Sequence, residues 1–108
     1  MSESTLEIIE HEKSTYTQHR VAIRISGLES MPLQEGTGRF QPEGIIIIFC
    51  RKNNCTWSLY SIEVYGPKLT KGGGRSSTIA KHIWWPPDED KPLWVIGFIA
   101  KYYPLDLR

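Results

Sequence analysis

The stretch Gly44–Gly66, GIIIIFCRKNNCTWSLYSIEVYG, decides the fold. Four isoleucines and a phenylalanine run together from Ile45 to Phe49. The polar tetrad Arg51–Asn54 interrupts them, and a second β-rich run follows. Two runs of β-branched and aromatic residues, bounded by glycine and joined by a short polar loop, form a β-hairpin. Ile45 to Ile48 show no polar alternation, which predicts a strand buried on both faces. One face would meet the C-terminal segment, the other the 27–43 loop or a second subunit. The return strand alternates, with Tyr60, Ile62 and Val64 on one face and Trp57, Leu59, Ser61, Glu63 and Tyr65 on the other. Gly66-Pro67 ends it.

Upstream, Leu6–Lys13 fits either a helix start, with Ser4 as cap and Glu7 three residues on, or a first strand. The β-forming segment Thr15–Ser26 tips the reading to strand, with Lys13-Ser14 as the turn. Val21, Ile23 and Ile25 would face the core, and Arg20, Arg24 and Ser26 solvent or a partner. Gly27–Glu43 has no periodicity and is punctuated by Gly27, Pro32, Gly36, Gly38 and Pro42, the signature of a loop. Loops of this length are functional or disordered. Leu28, Met31, Leu33 and Phe40 can pin this one to the body, so a covering loop is favoured over an interaction loop.

Downstream, Pro67–Ser77 reads as a flexible basic loop with Lys68, Lys71 and Arg75. Thr78–Trp85 reads as a last strand, with Ile79, Lys81, Ile83 and Trp85 on one face and Ala80, His82 and Trp84 on the other. Pro86-Pro87 stops it. Asp88-Glu89-Asp90 before Lys91-Pro92 supplies helix N-terminal signals, and Pro104 bars continuation. The helix stripe would be Trp94, Val95, Phe98, Ile99 and Tyr102, with Leu93, Ile96 and Ala100 on a neighbouring face. Gly97 weakens the helix. The expectation is one α+β domain over residues 1–108. An antiparallel sheet of four or five strands, built on the hairpin at 44–66, carries one C-terminal helix over about 91–103.

Several function classes lack support. No apolar run approaches the roughly 20 residues of a membrane span, and no apolar leader follows Met1, so a soluble cytoplasmic protein is expected. Cys50 and Cys55 flank the tetrad at positions where a disulfide could form, but reduced thiols are favoured in a reducing cell. A zinc site needs a second ligand pair, and His11, His19 and His82 are the only histidines. Lys71-Gly-Gly-Gly-Arg75 lacks the Gly-Lys-Ser/Thr of a Walker loop and serves as a turn or an anion nest. No nucleophile signature appears, so no catalytic residue, metal or cofactor is expected.

Binding remains. The net charge of +1 hides a middle, residues 20–81, with nine basic side chains against four acidic ones. The first reading is a protein partner, or a homo-oligomer, held through the sheet edge, the 27–43 loop and the aromatics Phe40, Trp84, Trp85 and Trp94. The second is nucleic acid or a nucleotide, held by Arg20, Arg24, Arg51, Lys52, Lys71 and Arg75 with aromatic stacking.

The segment VYGPKLTKGGGR, a following strand, and PLWVIGFIAKYYP together resemble small uncharacterised proteins encoded by actinobacteria and their phages. The likeness covers about residues 62–104. It implies a sheet-plus-helix architecture and an accessory role, with no catalytic residue to carry over. The KYYP ending departs from the more polar helices of that group.

Overall fold

A computed structural model describes residues 8–53, 56–85 and 91–104. Among them lie strands β1 (Ile8–Ser14), β2 (Gln18–Arg24), β3 (Met31–Pro32), β4 (Arg39–Phe40), β5 (Gly44–Cys50), β6 (Ser58–Leu69) and β7 (Arg75–Trp84), and helix α1 (Leu93–Tyr102). Every pairing is antiparallel, and the main ladder runs β1-β2-β5-β6-β7. The hairpin at its centre is β5–β6, with Ile47 opposite Ile62 and Ile45 opposite Val64. The fold is α+β.

Among the described residues the sheet has seven strands rather than four or five. The two additions, β3 and β4, come from the segment read as loop. Two-residue strands leave no periodic trace. They exist because the backbone finds partners beyond Gly44. Gln41 N–H donates to Pro67 O at 2.9 Å and Glu43 N–H to Tyr65 O at 2.9 Å, so the chain continues along the edge of β6 past Pro42. The reversal between β3 and β4 uses Gly36 and Gly38, both at positive φ where a side chain would be strained. Met31 and Phe40 enter the core and Leu28 and Leu33 pack against it, as expected of a covering loop.

Three boundaries shift. The β1–β2 turn sits after Ser14, not at Lys13-Ser14, because Thr15 Oγ1 accepts the Gln18 N–H at 3.0 Å. β6 runs through Gly66-Pro67 to Leu69, since Pro67 needs no donor there and its carbonyl takes the Gln41 N–H. The basic loop therefore shrinks to a turn after Leu69, closed by Gly74 N–H donating to Thr70 Oγ1 at 3.0 Å, and Arg75 begins β7.

Burial follows the pleat. Val21, Ile23, Ile45, Ile47, Phe49, Ile62, Val64 and Trp84 share one face and are buried. Val95 and Phe98 of α1 close over that face, with Trp94, Ile99 and Tyr102 beside them. Leu93 and Ile96 of the neighbouring helical face remain exposed. The helix has no side-chain cap; Val95 and Ile96 donate their N–H groups to Pro92 O. The proposed acidic cap, Asp88–Asp90, lies outside the described residues.

Two expectations about faces fail. Ile46 and Ile48 are only half-buried, so β5 is covered on one side, not two. Among the described residues α1, β3 and β4 all contribute to the same core, which leaves the opposite face without a second layer. A bulge opposite Ile48 and Phe49 also places Leu59 across from Phe49 and Ser61 across from Ile48. Tyr60 is the extra residue. It leaves the Ile62–Val64 face, while Trp57 and Leu59 join the core.

The two outer strands of the main ladder, β7 and β1, are managed differently. At β7 the Gln34 side chain imitates a strand: its Nε2 donates to Ile83 O at 2.8 Å and its Oε1 accepts the Ile83 N–H at 3.0 Å. At β1 a bulge between Ile9 and His11 and the run Glu10-His11-Glu12-Lys13 blunt the edge instead.

Candidate functional site

Two surfaces combine exposure with chemistry. The first is the open face of the sheet. Strand register sets its side chains in rows. Ala22, Ile46, Glu63 and Ile83 form one, and Arg24, Gly44, Tyr65 and Lys81 another. At one corner Tyr60 and Trp85 meet edge to face, with ring centroids 5.8 Å apart and planes at 88°. They are 54% and 53% exposed. Such a pair presents a large rigid apolar area with polar tips, the composition of an interface anchor. Basic groups of β2 stand on the same face. Arg24 Nε lies 3.1 Å from Glu10 Oε2, and Arg20 Nη1 lies 3.4 Å from His11 Nδ1. The Tyr65 ring lies over Gly44, filling the space a Cβ would occupy. Burial first, and then the Glu10 charge, raise the Tyr65 phenol above its ordinary value.

The second surface is a cleft of about 420 Å³ at the end of the sheet, where the β1–β2 turn, the β5–β6 loop and the C-terminus of α1 converge. Arg51 is one of its cations. Its Nε donates to Tyr16 O at 2.6 Å, and its guanidinium lies 4.4 Å from the Trp57 ring centroid and 4.9 Å from that of Tyr16. His19, 8% exposed, turns Nε2 to Glu12 Oε2 at 3.4 Å, while its buried Nδ1 has no partner among the described residues. Tyr103 stands edge-on to Phe49 at 5.0 Å and donates its hydroxyl hydrogen to Trp57 O. Lys101 and Pro104 complete the wall.

The residues singled out from sequence scatter over these surfaces. Phe40 and Trp84 are 0% and 3% exposed and belong to the core. Trp94 is half-buried against Phe98, and its other side borders a groove lined by residues 27–32 and Pro92. Of the four aromatics only Trp85 stands half in solvent. Arg20 and Arg24 share the open face, Arg51 lies in the end cleft and Lys52 is exposed beside it. Lys71 sits in the turn at the far end of β6, and Arg75 is engaged bidentately by Glu43. Since β6 alone spans roughly 36 Å, the basic residues do not make one patch. Cys50 is a half-buried free thiol opposite Ser58. Cys55 itself lies outside the described residues.

Tyr60, His19, Trp57 and Tyr103 were not among the sequence candidates. Tyr60 is displaced by a bulge that its alternating neighbours do not announce. The other three gain their roles from chain segments far apart in sequence. No helix among the described residues is long and apolar enough to cross a membrane. No protein-family model matches the chain, and neither does any curated protein or solved structure.

Proposed function

We propose that the protein is a non-enzymatic accessory protein of the cytoplasm that docks a protein surface, its own second copy or another chain, on the open face of the sheet. The observation that carries this reading is the half-exposed Tyr60–Trp85 pair beside Ile46, Ile48 and Ile83, on a face with no second layer. Apolar area left in water beside a rigid aromatic anchor is the usual makeup of an interface centre. The reading assigns no catalytic residue and no cofactor.

Light scattering over a concentration series tests it, with Trp85→Ala beside the parent chain. Self-docking predicts an assembly that Trp85→Ala dissociates. An assembly that both chains form equally would remove this face from the interface. If the parent chain stays monomeric, the same substitution is compared in cross-linking to a candidate partner, and undiminished cross-linking there defeats the proposal.

A second reading rests on Arg20, Arg24 and Lys81 bordering the same face. A single nucleic-acid strand would stack on the aromatic pair while these residues meet phosphates. It predicts absorbance at 260 nm co-eluting at low salt and lost at high salt. Assembly independent of salt favours the protein partner.

A further inference from the structure

We infer that the end cleft binds a small organic anion, a carboxylate or phosphate head on an apolar body, with Arg51 reading the head. Its volume of about 420 Å³ suits a small molecule, since ligand pockets commonly measure roughly 300–1,000 Å³.

The argument starts from Arg51. A guanidinium usually loses conformational freedom when it grips an anion. This one is already immobilised. Its backbone N–H donates to Thr17 O at 3.0 Å, its Nε to Tyr16 O at 2.6 Å, and two aromatic rings hold its plane. The stack and the Nε bond leave the two terminal nitrogens without partners among the described residues. That fork geometry matches the two oxygens of a carboxylate or phosphate.

The surroundings have the right sign. Glu12 is the acidic group among the described lining residues, and its carboxylate faces His19. Lys101 also lines the cleft, so its described lining holds two basic side chains, Arg51 and Lys101, against the one carboxylate. The body of the ligand meets Tyr103 and Pro104. Tyr103 is held by Phe49 and by its bond to the Trp57 carbonyl, so this wall is also formed in advance. Preformed walls lower the entropic cost of binding. The cleft does not depend on the open sheet face, and the two readings can fail separately.

The test is two-dimensional proton–nitrogen NMR of the full chain, following the Arg51 side-chain Nε–H and the Trp57 indole. Benzoate and phenyl phosphate are the probes, with benzyl alcohol and inorganic phosphate as controls. The expected result is saturable shifts of both signals with at least one organic anion in the millimolar range, and none with benzyl alcohol. Which anion binds identifies the head group. Arg51→Lys should weaken binding about tenfold, because it keeps the charge and loses the fork. If that variant loses the native spectrum, Lys101→Gln replaces it and should weaken binding about threefold by removing one exposed cation. The inference is overturned if neither organic anion moves these signals. It is equally overturned if benzyl alcohol or inorganic phosphate shifts them as strongly, or if the folded variant binds unchanged.

Discussion

The two faces of β5 carry nearly the same chemistry and meet different fates. Ile45, Ile47 and Phe49 are fully buried under α1 and the β3–β4 hairpin, while Ile46 and Ile48, from the same isoleucine run, are half-buried on a face with no cover among the described residues. A strand distributes alternate residues to opposite sides whatever their identity. Cover has to come from elsewhere in the chain, and the described segments provide enough for one face only. The difference separates residues that hold the fold from residues free to hold something else.

That contrast can be broken. On the covered face, Phe49→Ala removes a wholly buried ring and should cost about 3–5 kcal/mol in urea denaturation, the largest effect of the series. A loss under about 1 kcal/mol would mean the core is not where the burial places it. Glycines sharpen the point. A Cβ at Gly66 would run into the Gln41 carbonyl, a backbone atom that cannot swing aside, so Gly66→Ala should cost about 2–4 kcal/mol by prying β4 from β6. A Cβ at Gly44 would meet the Tyr65 ring, whose side chain can rotate into the solvent above the open face. Gly44→Ala should therefore cost less, about 1–2 kcal/mol, and equal losses at the two sites would contradict the openness of that face.

On the open face itself, Trp85→Ala should lower stability by less than about 1 kcal/mol while abolishing self-assembly or partner binding. A large stability loss with unchanged binding would reverse the assignment. The smallest effect is electrostatic. The folded state holds the Tyr65 proton more tightly than the unfolded chain, whose phenol titrates near pH 10.0. The stabilisation is thus fully present below pH 10 and lost as pH rises through the folded value. Urea midpoints measured from pH 8 upward should stay level and then fall above pH 10, with a smaller fall in Tyr65→Phe.

Much of this architecture is legible in local pattern. The hairpin shows in Ile45–Phe49 and in Ile62 and Val64, and the helix stripe in Trp94, Val95, Phe98, Ile99 and Tyr102. The alternation of Val21, Ile23 and Ile25 marks the core side of β2. In each case periodicity within one element decides which way a side chain turns. The β3–β4 pair escaped because strands so short acquire identity only through their partners, β3 through β4 and β4 through β6. Tyr60 escaped because a bulge shifts the phase of its strand. Phe40 and Trp84 were candidates for a partner because composition cannot tell a buried aromatic from an exposed one.

The sequence by itself determined the class of fold, the position of the central hairpin and helix, and the set of residues able to form a core. These follow from backbone preference and from the period of apolar residues, both short-range properties. Tertiary structure alone decided which face of the sheet is covered and that Arg51 meets the rings of both Tyr16 and Trp57. It also brought His19, Tyr103 and Lys101 around one cleft. Those outcomes depend on contacts between segments tens of residues apart, where the geometry of packing rather than local propensity selects the neighbours.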